Sequence, residues 1–262
     1  MKWWLLAQCL FLKCIGLALL LWSDLIWAGW LIFFSGGVLV VAHILIPGAQ
    51  GLCDVVTRFR PKGREVWLTI DDGPDPEATP EILDLLDVYN AQATFFMIGA
   101  KAEASPDLVA AVRARGHSIG SHTQTHPTAF FWAAGFARVA RELDDSLAVL
   151  SGDNESVTLY RSPVGIKNLH LRSALKLRGL SCIGWTIRTY DTFVKEPALV
   201  AERVKRALAP GAIILMHEGK SVRADDRSES IRRVLEVLKA EGYTCVLPEK
   251  EFFLGECQKR DQ

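Results

Sequence analysis

Leu68-Thr69-Ile70-Asp71-Asp72-Gly73-Pro74 decides how the chain reads. A short apolar run, Val66 to Ile70, has strand character and ends in two adjacent acids. Gly73 and Pro74 stop it, which puts both carboxylates at a strand tip. Neighbouring strand side chains point to opposite faces, so two acids share one site only where the chain is already turning. Close carboxylates also repel unless a cation lies between them or one is protonated. The pair asks for a metal, and the rest of the chain is searched for its other ligands.

Short apolar strands alternate with helical patterns from Val66 onward. The strands expected are Val66–Ile70, Thr94–Ile98, His117–Gly120, Val157–Tyr160, Ser181–Trp185, Ala212–Met216 and Thr244–Leu247. The helices between them are Thr79–Tyr89, Ser105–Arg115, roughly Ala129–Leu150, Leu171–Leu177, Pro197–Leu208 and Asp226–Glu241. Such alternation gives a parallel sheet, closed or nearly closed into a barrel. Chemistry in such folds sits at the carboxyl ends of the strands. The polar residues there are Asp71 and Asp72, His122 and His126, Arg161, Asp191 and His217.

His122-Thr-Gln-Thr-His126 spaces two imidazoles four residues apart, one face of a helical turn. With one carboxylate they make a two-histidine, one-aspartate set with open positions for water and substrate. The bland alternative is a loop with two surface histidines. Arg161, after its strand, can keep one of the two acids ionised and fix its rotamer, or it can simply cap its own loop. His217 follows the apolar run ending Leu215-Met216, where it can protonate a leaving group or sit satisfied at a sheet edge. His117 and His170 are read as structural, and Arg138, Arg141, Glu142, Asp144 and Asp145 as a solvated helix face.

The start of the chain is different. Residues 3–46 are apolar apart from Lys13, Ser23-Asp24 and His43. A bilayer core of ~30 Å needs about 20 helical residues, which Trp3–Trp22 and Leu25–Ile46 each supply. Trp3, Trp4, Trp22 and Trp27 fall at the ends, where aromatic belts sit. The rival is a cleaved signal peptide, but its apolar region runs only about 7–15 residues. A mid-span lysine costs roughly 2.5–3.5 kcal/mol on insertion scales. A hairpin folded at Ser23-Asp24 sets Lys13 level with Ser35 as an acceptor; a tilted helix would instead let it snorkel. Lys2 before the hairpin and Arg58, Arg60, Lys62 and Arg64 after it place both termini on the cytoplasmic side by the positive-inside rule.

The formal net charge is zero and no basic stripe occurs, so nucleic acid is not implied. Six cysteines are scattered without a Cys-x-x-Cys pair, which argues against a zinc ribbon or a disulfide framework. Cys182 and Cys245 sit in apolar runs as core residues.

The Thr-Ile-Asp-Asp-Gly-Pro and Ser-His-Thr-Gln-Thr-His segments, followed in order by Arg161-Ser-Pro-Val-Gly165, Asp191 and Leu215-Met-His217, resemble the motif series of the NodB-type polysaccharide deacetylases, carbohydrate esterase family 4. The resemblance covers about residues 64–250 and implies a distorted (β/α)7–8 barrel preceded here by the two-helix transmembrane hairpin. It implies metal-dependent removal of an acyl group from a sugar, with a divalent ion, Zn2+, as cofactor. Carried onto matching positions, Asp71 is the general base, Asp72 a metal ligand with His122 and His126, Arg161 the residue orienting the base, and His217 the general acid. Asp191 matches the acid that raises the basicity of that histidine. The chain departs from the pattern at Arg188, where the family usually has an aspartate, at Thr192, and at Val164 before Gly165. Arg188 and Trp185 are expected on the substrate side, with Arg188 facing an anionic group such as a lipid-linked phosphate, pairing with Asp191, or solvated.

The expected organisation is therefore a hairpin over 1–46, a linker over 47–63, a NodB-like deacetylase domain over 64–250 and a tail over 251–262. The expected protein is a multi-pass enzyme of a bacterial inner membrane with its domain on the cytoplasmic face, the periplasmic or extracellular face being the alternative. Its partners are an acylated, lipid-linked sugar and the bilayer. Two other readings remain open: a metal-dependent glycosyltransferase, and a non-catalytic, membrane-tethered carbohydrate-binding protein. The histidines disfavour the first, since Mg2+ and Mn2+ diphosphate sites prefer oxygen ligands.

Overall fold

The computed structural model describes residues 1–22, 24–152 and 155–254. Ser23 of the expected hairpin turn, and residues 255–262 of the expected tail with Cys257, lie outside them. The first two helices, α1 (Trp3–Trp22) and α2 (Ile26–Leu45), are 20 residues each, or about 30 Å at 1.5 Å per residue. They pair antiparallel: a Cβ on Gly16 would meet Phe33 N at 2.6 Å, and one on Gly36 would meet Cys9 Cα at 3.2 Å. Small residues at these crossings let the two backbones approach, as they do between membrane helices. Lys13 does not use Ser35. Its Nζ lies over the Phe33 ring, 5.7 Å from the centroid, while the Ser35 hydroxyl donates to Ile32 O within its own helix. A neighbouring aromatic face satisfies a cation without a polar acceptor.

The stretch 47–63 contributes two short strands, β1 (Val55–Val56) and β2 (Arg58–Phe59), with β1 pairing in the main sheet. Strand β3 (Glu65–Gly73) is longer than expected and runs through both acids. Helix α3 (Ala78–Val88), strand β4 (Ala93–Met97), an unanticipated short helix α4 (Gly99–Ala104), helix α5 (Pro106–Ala114) and strand β5 (Ser118–Ser121) follow. Pro106 opens α5 at its first position, although Ser105 makes no side-chain cap. The region 129–150 is not one helix. A single 3-10 turn, Phe131–Ala133, precedes α6 (Phe136–Leu150), with Gly135 extended between them. Then come β6 (Leu159–Tyr160), α7 (Leu171–Leu177), β7 (Ser181–Ile183), the unanticipated β8 (Ile187–Arg188), α8 (Pro197–Ala207), β9 (Ile213–His217), α9 (Ala224–Ala240), β10 (Thr244–Cys245) and β11 (Phe253–Leu254).

The sheet order is β1-β7-β6-β5-β4-β3-β9-β8, every pairing parallel, with β10 beside the start of β3. It curls into a distorted half-barrel, and an isolated antiparallel bridge joins Arg58 of β2 to Ala212, just before β9. Period-two alternation divides β3 between two cores. Val66, Leu68 and Ile70 pack under the helices with Ile82, Leu86, Val204 and Val234. Trp67 points into the barrel with Phe96, Ile183, Ile213 and Phe253, so Thr69 and Asp71 share its row above it. The sequence alternation alone thus aims Asp71 at the barrel mouth.

Trp67 is 1% exposed, stacked on Phe253 at 5.3 Å, and donates from Nε1 to Thr94 Oγ1 at 2.8 Å. Trp67→Ala empties that position and leaves the Thr94 hydroxyl without its donor. A loss of about 3–5 kcal/mol in a urea unfolding titration is expected.

Candidate functional site

The two acids do not sit where a strand has ended. Asp71 is still in register, opposite Phe96 on β4 and His217 on β9. The ladder slips between Asp71 and Gly73, and Asp72 takes φ +71°, a left-handed conformation that aspartate tolerates better than most residues. The bulge supplies the turn that two acids need in order to face one site. Lys101 holds it from α4, its Nζ donating to Asp72 O at 2.6 Å.

His122 and His126 occupy a loop after β5, not a helical turn. Left-handed Thr123 (φ +68°) and His126 (φ +53°) coil it so that the imidazole centroids lie 4.8 Å apart. Glu142 of α6 clamps this loop. It accepts from Gln124 N, Thr125 N and the Thr125 hydroxyl at 3.0, 2.9 and 2.6 Å. The solvated-face reading therefore fails for Glu142, which is buried on the same side as Val139, Leu143 and Ser146. Helical spacing from Val139 carried that signal; the charge of Glu142 hid it.

His122 Nδ1 is 2.9 Å from Arg161 O, which as an acceptor fixes the tautomer and leaves Nε2 to the site. Nε2 of His122 and of His126 lie 3.5 and 3.3 Å from Asp72 Oδ1. One ligand atom from each residue falls within 4.8 Å of the others. Asp72 Oδ1 is buried and has no hydrogen-bond donor. Burial opposes ionisation of Asp72, but the polar contact and charge of the nearby His122 imidazole, with the charges of His217 and His126, hold its pKa well below the usual carboxylate range. Burial, then the charge of His122, pushes the His126 imidazole below its usual value. An orphaned carboxylate oxygen facing two convergent imidazole nitrogens fits a divalent cation and has the N,N,O composition of catalytic zinc centres.

Asp71 has different company. Arg161, 0% exposed, donates from Nη1 to Asp71 Oδ1 at 2.7 Å and to Thr69 Oγ1 at 2.8 Å. Its Nε and Nη2 donate to the carbonyls of Ile183 and Gly184, and the guanidinium stacks on Phe96 at 4.2 Å. Across the cleft, His217 Nδ1 is 2.8 Å from Asp191 Oδ1, and its backbone N donates to Asp191 Oδ2 at 2.7 Å. Burial works against the charged imidazole, yet the Asp191 hydrogen bond and charge, aided by Asp71 and Asp72, raise the His217 pKa to about 9.

Asp71, Asp72, His122, His126, Trp185, Arg188 and His217 line one cleft of about 300 Å³ with Val164 and Phe193; Arg161 and Asp191 stand behind it. Arg188 does not pair with Asp191, whose oxygens are taken by His217 and Thr192 N. It stacks on Tyr190 at 4.7 Å, and Arg203 covers the same ring at 4.4 Å. Glu218 was not singled out in the sequence. It is wholly buried, accepts from the Thr79 hydroxyl at 2.6 Å, and has its pKa pushed up to about 8 by burial, against that hydrogen bond and with the charge of Asp75. Thr79 lies in a distant helix, so no local pattern discloses the contact.

The family model for polysaccharide deacetylase matches residues 59–183. A chitooligosaccharide deacetylase of Sinorhizobium fredii is 36% identical over 156 residues, 59% of this chain and 72% of that protein. A peptidoglycan-N-acetylglucosamine deacetylase of Bacillus cereus is 32% identical over 188 residues, 69% of this chain and 84% of that one. Among solved structures, a family 4 carbohydrate esterase from Streptomyces lividans, in complex with acetate, superposes with a TM-score of 0.64 at 28% identity, covering 71% of this chain and 94% of the other.

If these three side chains make one cation site, the purified chain takes up one equivalent of Zn2+ in a calorimetric titration. His126→Ala weakens that uptake by more than about a hundredfold, beyond the 10–100-fold loss typical of groups that only support a ligand. Asp71→Asn leaves it within a few fold.

Proposed function

The chain belongs to the polysaccharide deacetylase family, the NodB-type group of carbohydrate esterase family 4, and we propose that it hydrolyses the N-acetyl group of a lipid-linked sugar at a membrane surface. One observation carries the reading: a carboxylate tied to a buried arginine stands beside an Asp-His-His cluster and opposite a histidine whose Nδ1 is held by Asp191. Relatives named as deacetylases of chitooligosaccharide and of peptidoglycan support the reaction type. They also displace the glycosyltransferase reading.

Asp72, His122 and His126 would hold the divalent cation, with Zn2+ suited to the donor set. Bound there, it would supply Lewis acidity, making a water more acidic and the acyl carbonyl more electrophilic. The chain's own groups do the proton work. Arg161 occupies Asp71 Oδ1 and fixes the rotamer, which leaves Oδ2 to accept the proton of the attacking water. His217 has Nδ1 committed to Asp191, so its Nε2 proton goes to the sugar nitrogen as the C–N bond breaks. The acyl group, its carbon now bonded to the water oxygen, leaves as acetate, and the sugar keeps an amine. Arg188, braced on Tyr190 at the cleft wall, is suited to an anionic group such as a carrier phosphate.

We infer that α1 and α2 anchor the chain in the bilayer as a two-span hairpin. Phe11, Leu17, Leu21, Leu31, Phe34 and Val38 are exposed along both helices, an apolar surface that water does not favour. The basic residues flanking the hairpin support a cytoplasmic domain. A reporter fused to the C-terminus and active only outside the cytoplasm would overturn that side.

Glycolipid mass spectra of cells carrying wild-type or Asp71→Asn protein test the substrate. A specific lipid should gain one acyl mass in the variant, and acetate release in vitro should fall about 10²–10⁴-fold. The acid form of His217 is required, so kcat falls as pH rises through its pKa. A bound cation lowers that limit, so the test is a comparison: Asp191→Asn removes the stabilising charge, and the alkaline limb moves to lower pH than in wild type.

A further inference from the structure

A single loop joins the cleft to the hairpin. Val164, at φ +48° and half exposed, forms part of the cleft wall. Two residues on, Ile166 packs on the hairpin base with Leu5, Ile44 and Leu52. Lys167 Nζ then donates to the carbonyls of Ile46 and Pro47 at 2.6 and 2.8 Å, where α2 ends. The next residue, Asn168, donates to Phe131 O at 3.0 Å, and the ring of His170 meets Phe136 edge-on at 6.3 Å. From the other side, Lys2 N donates to Gly51 O at 2.8 Å and the Lys2 ammonium pairs with Asp54. The hairpin is therefore docked on the domain at both of its ends. The stretch 164–170 thus runs from the cleft wall past the hairpin exit to the loop 130–136.

That loop presents apolar side chains outward while being anchored inward. Phe131 and Ala134 are buried, at 1% and 7% exposure, and fix the loop. Phe130 is 70% exposed and held at φ +57°, a backbone conformation unfavourable for a bulky residue. Trp132 is 47% exposed, Phe136 40%, and Leu169 beside them 47%. Apolar residues scattered singly on a surface need no explanation, but three aromatics on one anchored loop next to an apolar hairpin do. Indole and phenyl rings at the end of membrane helices match the headgroup boundary, where one edge is apolar and the other wet.

We propose that Phe130, Trp132, Phe136 and Leu169 form a membrane-interface patch that seats the domain on the leaflet where the hairpin ends, so that the cleft opens at headgroup level. This rests on the reading that the hairpin spans a bilayer, and it adds a second contact. A sugar whose lipid stays in the leaflet then reaches the cleft past Val164 without leaving the membrane, which raises its effective concentration.

The test uses the full chain in phosphatidylcholine/phosphatidylglycerol vesicles whose acyl chains carry bromine either near the headgroup or near the methyl end. Subtracting the spectrum of Trp132→Phe isolates that indole, which should be quenched more by bromine near the headgroup. In parallel, Phe130→Ser/Trp132→Ser/Phe136→Ser should slow acetate release from a vesicle-embedded N-acetylglucosaminyl lipid by at least about tenfold relative to release from soluble acetylated chitooligosaccharide. Failure of the wild-type chain to float with vesicles after carbonate extraction contradicts the hairpin reading, and this inference with it. Flotation with Trp132 unquenched, including Trp132 shielded by a second copy of the chain, overturns the patch and leaves the hairpin reading standing. Equal slowing on both substrates overturns it too.

Discussion

The pair between Arg161 and Asp71 is the contact on which the rest of the site depends. A guanidinium with no exposure is expensive to bury, and removing its partner leaves an uncompensated charge, typically about 3–5 kcal/mol of destabilisation. Its donors are spread over Asp71, Thr69, Ile183 O and Gly184 O, which belong to β3 and to the end of β7. The carbonyl of the same residue also fixes His122. One residue, through its guanidinium and its carbonyl, thus sets the rotamer of the acid, the tautomer of an imidazole and the spacing of two strands.

That arrangement gives the two adjacent carboxylates separate partners. Asp71 is answered by Arg161, and Asp72 is turned by the bulge toward two imidazoles. The opposite wall is set by Asp191: burial works against a charged His217, but the Asp191 hydrogen bond and charge raise its pKa. Neighbouring ionisable groups in one small cleft are thus given different partners, each with a separate physical cause.

Much of this was legible in the sequence because it follows from short-range rules. Alternation along Val66–Ile70 marked the strand, and the polar residue after each apolar run marked the barrel mouth. What was not legible depends on contacts far apart in the chain. Gly73 and Pro74 suggested a strand end, whereas hydrogen bonding from both β4 and β9 carries β3 through the acids and forces a bulge. The His122–His126 spacing suggested a helical turn, but Glu142 and two left-handed residues make it a coiled loop. The pairing of Val55–Val56 with Cys182–Ile183 is equally non-local, and two-residue strands leave almost no periodic signal.

The hairpin and the domain meet through buried contacts and capped carbonyls, so the position of the cleft relative to the helix ends is set by the fold rather than by a loose tether. Every functional statement returns to one site, however. X-ray absorption at the zinc edge of the Zn2+-loaded chain tests it most directly. The account expects imidazole nitrogen at about 2.0–2.1 Å and carboxylate oxygen at about 2.0–2.2 Å, with the imidazole signature halved in His122→Ala. Sulfur neighbours at about 2.3 Å, or a shell unchanged by that substitution, would contradict it.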